Sequence, residues 1–208
     1  RPDAVRAADP ALAPALMPEG RHAGLLTEAI AADGEAFQAL FAGRIADAHA
    51  SLEAAAVLYR ASWEAAPPKS YGRLVAYLKS AVLSGEPEDA AGYVRDALGS
   101  ACDSPTSCYA LAVAALIEDD DATAARAAAA MTEGDEPFAR AAEALAALAA
   151  RDRERYGRAV RAIVADFEAR EEHLTGIAIA DTAMLMEALA ERRGMPERPE
   201  SELLPEVV

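Results

Sequence analysis

The sequence predicts an all-α chain of antiparallel helical hairpins, stacked as a short α-solenoid or packed as an irregular helical bundle. Three features lead there. Apolar residues recur at helical spacing nearly throughout, and no segment shows the two-residue alternation of a half-buried strand. The breakers Gly85, Asp119 and Asp152 fall 33–34 residues apart, the interval of helix–turn–helix repeats. Alanine fills about a quarter of the 208 positions, and side chains that small let neighbouring helices approach closely.

Each element has its own start and stop signals. A helix over about Arg21–Ala32 is expected to close at Asp33-Gly34. The next is long, with Phe37, Leu40, Phe41, Ile45, Ala48, Leu52, Ala56, Tyr59 and Trp63 on one stripe. Pro67-Pro68 ends it, because neither proline can donate a backbone hydrogen bond. Ser70 can cap a third helix whose face is Leu74, Tyr77, Leu78, Ala81 and Val82, and Gly85 with Pro87 marks a stop and restart. Ala90, Tyr93, Val94, Ala97 and Leu98 line a fourth. Ser104-Pro105 opens a fifth, carrying Tyr109, Ala112, Val113, Leu116 and Ile117, which Asp119–Asp121 break. A short Ala-rich helix runs to Gly134. Asp135-Glu136-Pro137 starts one with Phe138, Ala141, Ala142, Leu145 and Leu148. Asp152 caps another with Tyr156, Val160, Ile163, Val164 and Phe167. The last is expected over about Thr175–Arg193, stopped by Gly194 and Pro196. The segments beginning at Ala81, Ala114 and Ala146 each read small-apolar helix, acidic turn, small-apolar helix, so the solenoid is TPR-like in period. Residues 1–194 form one all-helical domain in this reading, and 195–208 an extended Pro- and Glu-rich tail.

Charge narrows the function classes. Against 20 Lys and Arg stand 35 Asp and Glu, a net charge of −15. Phosphate contacts need cations, so nucleic acid is not an expected partner, and an anionic membrane surface is disfavoured for the same reason. No stretch of eighteen apolar residues exists to cross a bilayer. Asp3, Asp9 and the prolines Pro2, Pro10, Pro14 and Pro18 break up any signal-peptide core, so a cytoplasmic location is expected. A basic protein is the complementary partner, with the chain itself a monomer or homodimer.

The search for chemistry finds no catalytic set, cofactor motif or metal-ligand spacing. No Gly-x-Ser-x-Gly elbow, Walker loop, His-Glu-x-x-His or dinucleotide glycine pattern occurs. Cys102 and Cys108 bracket a turn; their spacing permits a local bridge, but free thiols are expected in a cytoplasmic protein. His49 and Glu53, with Asp47 nearby, read as a solvated i, i+4 pair. His173 suits a helix end beside Glu171 and Glu172. Glu19 and His22 show the di-iron Glu-x-x-His spacing once where such bundles need it twice. Asp181, in an otherwise apolar segment, needs hydrogen bonds or a cation partner; a first-turn helical role assisted by Thr182 is expected, with a polar anchor in a groove as the alternative. The candidate partner-binding residues are the aromatic cluster Tyr59, Trp63 and Tyr71, and the acidic run Asp119, Asp120 and Asp121 following Glu118.

The C-terminal stretch GIAIADTAMLMEALAERRGMPERPESELLPEVV resembles the end of an immunity-protein family of bacterial polymorphic toxin systems, the one numbered forty-nine. Gly176, Leu185, Ala188, Leu189, Arg193, Gly194, Leu204 and Pro205 carry the likeness. The segment SWEAAPPKSYGRLVAYLKSAVLSG is similar to the family's middle through Trp63, Ser70, Lys79 and Ala81, and together the two cover about a quarter of the chain. The resemblance implies a non-catalytic protein that binds and neutralises a cognate toxin, with an acidic surface suited to a basic toxin domain. Two other classes stay open: a TPR-like scaffold or regulator binding peptides or a signalling partner in its concave groove, and an all-helical enzyme with a site near His49 or Asp181.

Overall fold

A computed structural model describes residues 20–100, 102–131 and 134–206. Among the described residues there are nine helices and no strand: α1 (Arg21–Phe41), α2 (Ile45–Ala65), α3 (Gly72–Ser84), α4 (Glu88–Leu98), α5 (Pro105–Ile117), α6 (Asp121–Ala130), α7 (Glu136–Ala149), α8 (Arg153–Glu168) and α9 (Asp181–Arg192). None is long and apolar enough to cross a membrane. Consecutive helices pack as antiparallel neighbours. In addition α3 packs on α5 and α5 on α7, which makes these three a continuous inner layer. The all-α, stacked-hairpin architecture follows from the apolar periodicity.

Five helices end in the same way, which explains where the breaks fall. At each, an amide two residues past the last helical turn closes back on a carbonyl five residues earlier: Arg44 N on Ala39 O (2.9 Å), Glu86 N on Ala81 O (3.1 Å), Asp120 N on Ala115 O (2.8 Å), Asp152 N on Ala147 O (3.0 Å) and Met195 N on Ala190 O (2.9 Å). This Schellman geometry needs a left-handed residue just before that amide. Gly43, Gly85 and Gly194 supply it, but so do Asp119 (φ 58°) and Arg151 (φ 54°), at a cost of roughly 1 kcal/mol each. Asp120, Asp135 and Asp152 then cap the following helix, accepting from the backbone amides of Thr123, Phe138 and Arg155. The acidic turns therefore stop one helix and start the next.

Three expectations need correction. Helix α1 does not close at Asp33-Gly34; it runs through to Phe41, and the break comes at Ala42–Arg44, inside what the apolar stripe suggested was one long helix. Asp33 is free to stay helical because its carboxylate is engaged by other helices rather than by its own backbone. Gly34 is buried, and a Cβ there would lie 3.4 Å from the Thr175 carbonyl. The last helix begins at Asp181, not Thr175. Ahead of it the chain turns at Leu174–Ile177, with the Gly176 amide on His173 O, and then runs without helix: the Ala180 amide donates to Leu203 O at 2.9 Å while Ile177 and Ile179 pack with the cluster around Phe37 and Leu40. Finally, Cys102 and Cys108 are bridged, not free. Ser104 and Ser107 form a reciprocal capping box that turns the chain into α5 and leaves the two cysteine Cα atoms 5.0 Å apart.

Helix α9 packs against α3, α7 and α8, across the inner layer. It is buried nearly all round, with Met184 in the cluster at Phe37 and Leu52, and Leu185, Met186 and Leu189 in the main core. Its C-terminal Arg193 has a side chain only 1% exposed. That guanidinium donates to the last carbonyls of two inner helices, Leu116 O (3.1 Å) and Leu148 O (3.5 Å), and pairs with Asp121 (2.6 Å). A cation at two helix C-termini meets both exposed carbonyls and the negative dipole ends. Residues 195–206 are extended and lie against the helices: Arg153 donates to Pro196 O, Ser201 to Glu168, and Leu203 and Leu204 pack on the core.

Arg193→Ala should therefore lower stability by about 2–4 kcal/mol, because it strips two carbonyls and Asp121 of a buried partner. Arg193→Lys keeps the charge without the fork and should recover only part. Chemical denaturation midpoints check this, and a loss below ~0.5 kcal/mol in Arg193→Ala would remove α9 docking from the account.

Candidate functional site

The most concentrated polar chemistry is buried. Lys79 of α3 is 9% exposed and lies between two carboxylates, Asp33 of α1 and Asp181 at the first turn of α9. Its Nζ forms a short ion pair with Asp181 Oδ2 and stands 3.9 Å from Asp33 Oδ2, with the Phe37 ring 5.8 Å away. Asp33 is 1% exposed and fully engaged. The Tyr59 hydroxyl donates to its Oδ2 at 2.8 Å and Ser80 Oγ donates to its Oδ1 at 2.9 Å. Beside Asp181, Thr182 lies next to the buried Tyr109 hydroxyl. Four helices, α1, α2, α3 and α9, meet through this one network.

Titration directions follow from burial and charge. Burial alone would push the Lys79 ammonium down, but the carboxylates of Asp181 and Asp33 more than reverse that, so it is held above its ordinary value. Burial raises Asp33, against the pull of Lys79 and the hydrogen bonds from Tyr59 and Ser80. The phenols of Tyr59, Tyr109 and Tyr156 are all raised, chiefly by burial; Asp33 adds to the shift of Tyr59 and Glu187 to that of Tyr156. Chemically the cluster is closed. Neither of the two cavities that stand out in the fold is lined by Lys79, Asp33 or Asp181. The arrangement clamps helices together.

The candidate residues of the sequence are distributed as follows. Tyr59 is 2% exposed and belongs to the buried cluster, not to a surface patch. Trp63 and Tyr71 are half-buried and stack on each other, with ring centroids 5.8 Å apart and planes 27° apart. Tyr71 borders a small cavity of about 340 Å³ with Lys69, Arg73 and Asp103, where Lys69 pairs with Asp103 at 2.8 Å. The acidic run is spent largely inside the chain. Asp120 caps α6 and takes Arg95 at 3.1 Å; Asp121 takes Arg193 and Arg151; Asp119 faces the same two arginines at 3.7 and 3.8 Å.

The histidines stand apart from one another's chemistry. His49 is half-buried, Asp47 turns to Arg44 at 2.7 Å, and Glu53 is exposed. His173 lies against Phe167, its Nδ1 buried without a hydrogen-bond partner. The His22 ring meets Arg73 at 3.0 Å, while Glu19 lies outside the described residues. Among the described residues no three His, Cys, Asp or Glu side chains converge to hold a metal ion. The sequence flagged Asp181 as a carboxylate that needs hydrogen bonds or a cation partner, and the structure gives it a first-turn position and a cation. It did not flag Lys79 as the partner. The signal was that one of only two lysines in the chain sits within a mostly apolar helical segment, directly after Leu78 of its stripe.

Comparison with family models, with curated proteins and with solved structures returned no significant match.

Two outcomes follow for the cluster. Lys79→Met leaves two buried carboxylates facing each other and should cost about 3–5 kcal/mol, a fall in Tm of roughly 10 °C or more. Adding Asp33→Asn and Asp181→Asn should restore most of it, and a single mutant as stable as wild type would contradict the clamp. The second outcome is alkaline lability. Lys79, Tyr59, Tyr109 and Tyr156 keep their protons longer when folded than their ordinary values of 10.5 and 10.0 allow when unfolded. Their stabilisation is complete below pH 10 and falls as pH rises beyond it, each contributing at most ~1.4 kcal/mol per pH unit. Urea midpoints measured from pH 8 to 12 should decline from about pH 10, and less steeply in Tyr59→Phe. An unchanged slope in that variant would place the lability elsewhere.

Proposed function

We propose that the chain is a non-catalytic protein-binding module, an immunity protein that neutralises a basic bacterial toxin domain in the cytoplasm. The observation that carries this reading is how the charge is spent. Both lysines and most described arginines are tied into ion pairs within the chain. The surplus carboxylates are left facing water without partners, among them Glu28, Glu53, Glu86, Asp96, Glu171 and Glu172. A surface whose cations are internally neutralised presents a negative field, which attracts a basic partner and repels nucleic acid and anionic membrane.

The closed Lys79 cluster supports a role without catalysis. The scaffold alternative needs an open face on the hairpin stack, and α9 packs over parts of α3, α7 and α8. The Cys102–Cys108 bridge weighs for an oxidising compartment, against the cytoplasmic part of the proposal.

The test is capture from the native host with the tagged chain as bait, washing in steps of increasing salt. One stoichiometric basic protein, released only at high salt and inactive as a toxin when bound, is the expected result. Several weak clients, or a partner whose binding ignores salt, would move the scaffold reading to first place.

A further inference from the structure

We infer that the groove between α2, α3, α9 and the C-terminal segment seats an apolar, basic stretch of a partner protein: a bulky aliphatic or aromatic side chain in its floor, with a flanking arginine or lysine held at its mouth. This rests on the reading of the chain as a protein-binding module and names the surface that would do the binding. The groove has a volume of about 610 Å³, within the range of pockets that enclose a compact ligand or a few side chains. Its floor is apolar: Val82 and Leu83 from α3, Met184 and Ala188 from α9, and Leu204 from the C-terminal segment.

The walls stand without an occupant. The Glu187 carboxylate accepts the amides of Glu197 (3.1 Å) and Arg198 (2.7 Å), and Ser201 donates to Glu168. These bonds fix the segment against α8 and α9, so binding need not first order that wall.

The charges at the mouth select the occupant. Of the two arginines that border it, Arg192 is paired with Glu88 at 2.8 Å and Arg198 with Glu191. Glu187 is taken by the backbone amides and by Tyr156. Glu200 and Glu206 remain, both exposed and both without a partner. Apart from the His49 imidazole, no uncommitted basic side chain borders the groove to meet an anionic ligand. A purely apolar one would leave the two carboxylates unused, whereas an apolar side chain next to a cation satisfies floor and mouth together.

The test uses a random twelve-residue phage-displayed peptide library, panned on the intact chain and in parallel on Ala188→Trp, which fills the floor but keeps every charge. Wild type should enrich peptides that place a bulky apolar residue beside Arg or Lys. The leading synthetic peptide should bind Ala188→Trp about tenfold or more weakly, and lose severalfold in the double variant Glu200→Lys, Glu206→Lys. Both altered glutamates are exposed, so the double variant reports even if Ala188→Trp fails to fold, which thermal melts decide. Equal binding by the variants, enrichment of acidic or wholly apolar sequences, or no enrichment over the filled groove would overturn the inference. A host partner captured equally by wild type and Ala188→Trp would overturn the groove while leaving the binding-module reading intact. Absence of any host partner would instead count against that reading.

Discussion

Lys79 is buried against two carboxylates from opposite ends of the chain, and the positions of four helices depend on that contact. Asp33 brings α1, Asp181 brings α9, and Tyr59 ties α2 to the same carboxylate. Burying an ammonium and two carboxylates costs several kcal/mol per ion in lost hydration, which the mutual attraction and the Tyr59 and Ser80 hydrogen bonds offset. What the cluster adds is register. Interfaces made of alanine pack closely but offer little shape to distinguish one helix offset from the next. A charge that finds its partners in a single arrangement removes that freedom.

A second theme is the dual use of acidic residues. Asp120 and Asp152 stand where one helix stops and the next begins, their amides closing the first and their carboxylates capping the second. Asp119 accepts a left-handed backbone at the same turn, and Asp121 receives the buried Arg193. Much of what looks like a binding surface in the acidic run is thus structural. The charge available to a partner comes instead from carboxylates along the helix faces, which have no cation within reach.

The route of the last forty residues shapes the surface that is left. Helix α9 occupies the inner face of the hairpin stack, and Arg193 fastens it to the ends of α5 and α7. The extended segment after it then returns past Ala180 and, with α3 and α9, encloses the groove floored by Met184 and Leu204.

The helical class, most helix ends and the capping residues Ser104, Asp135 and Asp152 were legible in the sequence, because each depends on a few neighbouring residues: apolar spacing, a cap, a breaker. Local signals misled where a distant contact outweighed them. Asp33-Gly34 reads as a turn until Tyr59 and Ser80 claim the carboxylate, and Thr175–Ala180 reads as helix until Leu203 pairs with its backbone. The free-thiol expectation for Cys102 and Cys108 came from an inferred compartment, and the capping box of α5 brought them together instead. The candidate site divides along the same line. That Asp181 needed hydrogen bonds or a cation was readable from its apolar surroundings. That the cation is Lys79, 102 residues away, and that Asp33 shares it, only the tertiary structure decided, because a buried charge selects its partner by proximity in the folded core and not along the chain.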